Sequence, residues 1–266
     1  MIKDKRLFLF DIDGVIRLGD RIIDGAIDLY NYIKKVGGKS IFITNNSTKN
    51  AKDYVQTFIN YGFDVDESNF ITALSVTNLF LKENYKDDLI YAWGTESFVR
   101  ELKNSGLNIT TNKNDYAKIK CIVVGYNNEM TYKSVCEICE VLQKCDAPYY
   151  ATNTDWVCPV EYGFIPDCGS ICKLIESATN KAPKYLGKPE PNMVEISLKE
   201  NPQYNKNQCV VVGDRLYTDI ACGINANVDS CVVFTGEAQR EDLVNTEYKP
   251  TYQFQSVKEI YLEMKR

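Results

Sequence analysis

Short apolar runs alternate along this chain with stretches in which apolar residues return every three or four positions. Leu7-Phe8-Leu9-Phe10, Ser40-Ile41-Phe42-Ile43 and Cys209-Val210-Val211-Val212 are near-continuous apolar runs of strand length, the pattern of strands covered on both faces. Between the first two, Ala26, Leu29, Tyr30 and Ile33 share one helical face over residues 25–36. That βαβ unit, with its right-handed crossover, puts both strands in one parallel sheet. Ala51, Tyr54, Val55 and Phe58 predict a helix over 48–61, capped by Ser47 or Thr48.

From about Glu83 a second series begins: a strand at 89–93, a helix at 96–104, a strand at 121–125, a helix at 131–145, a strand at 149–152 and a helix at 170–178. The first pattern then resumes near Tyr185, with helices at 191–199, 218–226 and 257–264 and strands at 209–212 and 229–234. The expected fold class is α/β, a doubly wound parallel-sheet, Rossmann-like core with an inserted α/β domain. The core takes residues 1–82 and 183–266 and the insertion 83–182, although composition changes little at either boundary.

Polar residues with phosphate chemistry sit where these apolar runs stop. Asp11-Ile12-Asp13-Gly14 follows the first strand, and side chains two apart on an extended segment share a side. In an open α/β sheet the reactive crevice lies beyond the carboxyl ends of the strands. Asp and Gly are also common turn residues, so the tetrapeptide alone does not decide. Thr44-Asn45-Asn46 follows the second strand, Lys188-Pro189 follows Tyr185-Leu186-Gly187, and Gly213-Asp214-Arg215 with Asp219 follows the run at 209–212. A hydroxyl, an ammonium and two further carboxylates thus join the first pair. Such a set suits metal-assisted phosphoryl transfer, which needs a nucleophile, a proton donor and positive charge around the phosphoryl oxygens.

In this order the four segments closely resemble the motifs of the haloacid dehalogenase (HAD-like) superfamily. The early Thr44-Asn45-Asn46 and late Lys188-Pro-Glu-Pro are similar to its NagD-like, p-nitrophenyl phosphatase branch. The resemblance extends along essentially the whole chain, including Ala151-Thr152-Asn153-Thr154-Asp155 and Asp167-Cys168-Gly169-Ser170. It implies a hydrolase with a large α/β cap, here the insertion at 83–182, and with Asp11 as the nucleophile that forms an aspartyl phosphate. It makes Asp13 the acid and base. A free aspartate, with a pKa of about 3.9, is protonated at pH 7 only about once per thousand molecules. Asp13 therefore needs a raised pKa, which neighbouring carboxylates promote, and a side chain kept off the metal.

The resemblance further implies Mg2+ (magnesium) bound by the carboxylates of Asp11 and Asp214 and the backbone carbonyl of Asp13. Asp219 is expected to hold a metal-bound water or to orient Lys188, although a carboxylate is also favoured in any helix's first turn. Thr44, Asn45 and Asn46 are the expected phosphate-binding segment, through the Thr44 hydroxyl and the Asn45 backbone N–H, with Lys188 as the cation. In the insertion, Asn153 and Asp155 are candidate substrate contacts. Trp156 belongs either with them or with the insertion's core, and Cys168-Gly169-Ser170 is expected as a turn near the substrate.

Composition narrows the partners. A net charge of −5 provides no basic field for a nucleic acid polymer. The apolar runs fall far short of the roughly 20 residues that span a bilayer, and the chain enters its first strand too soon for a signal peptide, so a soluble, cytoplasmic protein without a membrane partner is expected. Ten cysteines include a Cys136-x-x-Cys139 spacing, but no second such pair and no histidine exist. Cys139 also falls on the stripe Val135, Ile138, Leu142, so free structural thiols are expected rather than a zinc site.

The expected partner is a small phosphorylated metabolite: a nucleoside monophosphate, a sugar phosphate or phosphoglycolate, with p-nitrophenyl phosphate as surrogate. A homodimer is left open. The rival class is an aspartate-phosphorylated regulatory or binding protein without turnover. A receiver domain, however, carries its phosphoacceptor mid-chain and has no domain inserted before its lysine. Asp13 opposes a dehalogenase, which needs no leaving-group acid, and the short interval from Asp11 to Thr44 opposes the mutases, which carry their cap there.

Overall fold

The computed structural model describes residues 1–160 and 162–266. It forms two compact units, one of Met1–Thr44, Ala51–Ile71 and Lys188–Arg266, the other of Asn45–Asn50 and Thr72–Gly187. The second unit thus begins at Thr72 rather than at 83, ends at Gly187 rather than at 182, and also takes Asn45–Asn50.

In the first unit a six-stranded sheet runs in the order Tyr252–Phe254, Asp229–Val233, Cys209–Gly213, Leu7–Phe10, Lys39–Thr44, Phe70–Thr72. Its first five strands pair in parallel. The chain leaves the central strand Leu7–Phe10 toward one edge and later returns on its other side to build toward the opposite edge. The point between Leu7–Phe10 and Cys209–Gly213 is therefore the topological switch point, where such sheets open a crevice. Register brings the strand ends level: Phe10 lies opposite both Val212 and Phe42, and Asp11 N–H donates to the Val212 carbonyl at 2.8 Å.

The sheet is held by its apolar residues. Leu7, Phe8, Leu9 and Phe10 are all fully buried or nearly so, each contributing roughly 2 kcal/mol relative to an exposed side chain. Phe42 packs against Phe58 and Phe70, with ring centroids 4.6 and 5.3 Å away. The helix Ala26–Lys35 buries Ala26, Leu29, Tyr30 and Ile33, the stripe read from the sequence. The next helix is shorter than expected. It spans Ala51–Asn60, so neither Ser47 nor Thr48 caps it. Asn46 Oδ1 accepts both the backbone N–H and the hydroxyl of Thr48, each at 2.8 Å, and this local turn competes with helix at residues 46–48.

The second unit has a parallel sheet ordered Lys184–Tyr185, Tyr149–Ala151, Ile119–Val124, Leu89–Trp93, Ile109–Thr110. Helices Glu96–Asn104, Tyr132–Lys144 and Cys168–Thr179 follow its strands. The helix Ala73–Tyr85 was not foreseen. Its start is fixed by a reciprocal cap in which Ser75 N–H donates to Thr72 Oγ1 at 3.1 Å and Thr72 N–H to Ser75 Oγ at 2.9 Å. Cys139 is partly buried against the core beside Ile138 and Leu142, and all ten cysteines are free thiols. No described helix is long and apolar enough to cross a membrane.

Candidate active site

The level strand ends place a carboxylate cluster at the switch point. Carboxylate oxygens of Asp11, Asp214 and Asp219 lie within 4.8 Å of one another. Lys188, on the loop that precedes the helix Asn192–Glu200, sends its ammonium between two of them, 2.5 Å from Asp11 Oδ1 and 2.6 Å from Asp219 Oδ1. Lys188 is only 2% exposed, so this is a buried ion pair. Asp219 sits in the π-helical turn Leu216–Ile220, and its Oδ2 accepts the Arg215 N–H at 3.0 Å. Both oxygens of Asp219 are thus engaged.

Asp214 differs. Its Oδ2 accepts the Glu237 N–H at 2.7 Å, but its Oδ1 is buried with no hydrogen-bond partner. Such an orphan costs about 1–3 kcal/mol, more when charged. Gly14 and Gly236 crowd this carboxylate so closely that a Cβ at either position would overlap it. Gly14 also has φ +90, which favours glycine.

Burial pushes the Asp11 carboxyl well up against the opposing pull of Lys188. Burial, then Asp219, raises Asp214 to about 7. For Lys188 burial works against the charge, but Asp11 and Asp219 outweigh it and hold the ammonium above the usual lysine range. Three carboxylates facing one ammonium leave the cluster short of positive charge. Hard oxygen donors and the orphaned Asp214 Oδ1 fit a divalent cation. Asp11 and Asp214 are the side chains that would hold it, while Asp219 is occupied with Lys188 and the Arg215 N–H.

Asp13 turns away toward a residue that the sequence argument missed. Arg17 Nε lies 3.0 Å from Asp13 Oδ1, and the Arg17 carbonyl accepts the Gly14 N–H at 2.8 Å. The sequence reading surrounded Asp13 with carboxylates alone; the chain turning at Gly14 brings a guanidinium to it. The only signal was opposite charge four positions apart, normally informative on helices, and this segment is a turn entering the hairpin Arg17–Leu18 and Arg21–Ile22. Thr44 is buried at its strand's end, near the buried Tyr54.

The remaining candidates belong to the second unit. Asn45 Nδ2 donates to Asp155 Oδ1 at 3.0 Å, Asn153 Nδ2 donates to the Asn45 carbonyl at 2.9 Å, and Asp155 N–H donates to Asn153 Oδ1 at 3.0 Å. All three residues are buried. Asn46 is tied to Thr48, as above. Trp156 is half-exposed and is not part of the unit's core. Cys168-Gly169-Ser170 does not form a turn but opens the helix Cys168–Thr179 behind the cap Asp167. Its N-cap signal, an Asp before the apolar stripe, was present in the sequence.

Residues 8–108 match the family model described as haloacid dehalogenase-like hydrolase, and residues 185–260 match a second HAD-hydrolase-like model. The chain is 29% identical to the acid sugar phosphatase of Staphylococcus haemolyticus over 100% of this chain and 98% of that protein. Among solved structures, the 4-nitrophenylphosphatase of Thermotoga maritima superposes with a TM-score of 0.89 at 31% identity, covering 98% of each chain. The glycerol phosphate phosphatase of Mycobacterium tuberculosis, solved with magnesium, gives 0.88 at 25% identity over 99% of this chain and 79% of that one.

Proposed function

Because the chain belongs to the haloacid dehalogenase-like hydrolases, we propose that it hydrolyses small phosphate monoesters through an aspartyl phosphate on Asp11, with Mg2+ as cofactor. The observation that carries this reading is the Asp11 carboxylate beside the buried Lys188 ammonium, at 2.5 Å, with the orphaned Asp214 oxygen at the same switch point. The phosphatase names of the relatives support it.

Asp11 attacks phosphorus, the bond to the ester oxygen breaks, and that oxygen leaves with a proton from Asp13. Water then attacks the phosphorus of the aspartyl phosphate, Asp13 takes the water's proton, and Asp11 is released with inorganic phosphate. Lys188 and the Thr44 hydroxyl offset the phosphoryl charge. A divalent cation held by Asp11, Asp214 and the Asp13 carbonyl would supply further positive charge against the phosphoryl oxygens. The inserted α/β unit takes the part of the cap and selects the alcohol. Sugar and polyol phosphates are the first candidates, followed by nucleoside monophosphates and phosphoglycolate.

Turnover of p-nitrophenyl phosphate with and without Mg2+ tests the reading. Chelation should lower the rate at least about a hundredfold and added Mg2+ should restore it. Asp214→Asn should raise the Mg2+ concentration for half-maximal rate by about tenfold or more. A folded protein that accepts phosphate on Asp11 without turning over would instead be the phosphorylated regulator or binding protein.

Arg17 supports a second expected result. If it holds Asp13 in place to protonate the leaving oxygen, Arg17→Gln should lower kcat/KM by roughly tenfold or more for an alkyl phosphate, whose alkoxide needs the proton. p-Nitrophenyl phosphate, whose phenolate departs without one, should change little. Equal losses for both esters would remove Arg17 from this role.

A further inference from the structure

The network around Asp155 assigns a role that differs from the substrate contact expected of it, and the assignment rests on the phosphatase reading above. We infer that Asp155 and Asn153 are positioning residues for the phosphoryl-binding segments.

Three stretches of the second unit meet in a buried polar network. Residues 45–47 are joined to 152–155 by the Asn45–Asp155 and Asn153–Asn45 hydrogen bonds already described and by Thr152 Oγ1 to Ser47 Oγ at 3.4 Å, while Asp155 N–H to Asn153 Oδ1 braces residues 153–155 themselves. Ser47 Oγ also accepts the Tyr126 N–H at 3.4 Å. Residues 186–187 are joined to the same strand end, with Leu186 N–H donating to the Ala151 carbonyl at 3.0 Å and Gly187 N–H to the Thr152 carbonyl at 2.8 Å. A Cβ on Gly187 would come within 2.6 Å of both Asn45 Oδ1 and the Thr152 carbonyl, so this approach requires glycine.

Asn45, Ser47, Thr152, Asn153 and Asp155 are at most 7% exposed. Mutually bonded buried polar groups of this kind fix geometry, because any displacement strands a partner away from water.

Chain connectivity gives the network its function. Asn45 is the residue after Thr44, and Gly187 is the residue before Lys188. The network therefore anchors the peptide neighbours of the hydroxyl and the ammonium assigned to the phosphoryl group. A misplacement of about 1 Å at such groups can cost on the order of 100-fold in rate. Asp155 acts through the Asn45 side chain and Asn153 through the Asn45 carbonyl, so their effect should fall on the phosphoryl group common to every ester.

The test compares Asp155→Ala, Asp155→Asn, Asn45→Ala and the Asp155→Ala/Asn45→Ala double variant. Each is assayed with p-nitrophenyl phosphate, glycerol phosphate and a hexose phosphate, and with inorganic phosphate as competitive inhibitor. Asp155→Ala should lower kcat/KM by a similar factor, about 10- to 100-fold, for every ester the parent hydrolyses. It should also raise the inhibition constant of phosphate.

Asp155→Asn keeps an acceptor oxygen for Asn45 and should recover most of the loss. The double variant should cost no more than Asp155→Ala alone. A purely structural role would lower stability and the folded fraction without moving the phosphate inhibition constant. Loss confined to one ester, with phosphate inhibition unchanged, would make Asp155 a contact to the alcohol and overturn the inference. So would parental kinetics in the folded alanine variant. If Asp155→Ala does not fold, Asn153→Ala takes its place: a similar loss for every ester with weaker phosphate inhibition is expected, and loss confined to one ester, or parental kinetics, counts against the inference. Absence of turnover in the parent protein would count against the phosphatase reading instead.

Discussion

Asp11→Asn is expected to remove turnover of p-nitrophenyl phosphate, by about 10⁴-fold or more, in a protein that still folds and still binds phosphate. An amide oxygen is too weak a nucleophile to displace the ester oxygen, so the aspartyl phosphate cannot form. The fold should survive because the side chain has the same size and the substitution removes a buried charge. Burial acts against the Asp11 carboxylate more strongly than any other influence on it. Lys188 keeps its second carboxylate, Asp219, at 2.6 Å, and is not left unpaired. Steady-state kinetics give the rate, and rapid acid quench with ³²P-labelled phosphate ester should show acid-stable label on the parent protein and none on the variant. Residual turnover within about tenfold of the parent would transfer the nucleophile's role to another group. Full loss of turnover together with persistent label would place the phosphorylated residue elsewhere.

How much of this site the sequence disclosed follows from where each residue lies. Asp11 and Asp214 lie within two residues of the end of an apolar run, and register in a parallel sheet brings such ends level, so their convergence was legible in the sequence. Lys188 was singled out by its position after Tyr185-Leu186-Gly187, but where its ammonium goes was not legible there. Its preceding strand, Lys184–Tyr185, pairs in the second unit's sheet, and no local pattern says that its ammonium reaches Asp11. Arg17 was missed because the turn at Gly14 that returns it to Asp13 carries no periodic signal.

The helix Ala73–Tyr85 was missed for another reason. Leu74, Val76, Thr77 and Leu81 are buried while Leu79 is partly exposed, which blurs the helical stripe. Asp155 was found, but its partner was not: pairing with Asn45, distant in sequence, buries it.

Lys188→Met is expected to damage stability and catalysis together. Lys188 is the cation between Asp11 and Asp219, and the methionine side chain fills much the same volume, so the loss should come from charge rather than from a cavity. Removing one partner of a buried ion pair typically costs about 3–5 kcal/mol, because the other charge remains out of water; two carboxylates are stranded here. That is a large part of the roughly 5–15 kcal/mol that holds a domain folded, and it should lower the thermal midpoint by roughly 10 °C. Turnover in the fraction still folded should fall on the order of 100- to 1,000-fold, the scale for loss of one group that stabilises transition-state charge.

The double variant Lys188→Met/Asp219→Asn separates these effects. It removes one stranded carboxylate and should recover stability, but it restores no cation to the phosphoryl group and should recover no activity. Added Mg2+ should also raise the midpoint of the single variant, since Asp11 and Asp214 remain to hold it. A parental midpoint in Lys188→Met would mean that the buried pair contributes nothing to stability. Recovery of turnover in the double variant would show that Lys188 serves the fold rather than the phosphoryl group.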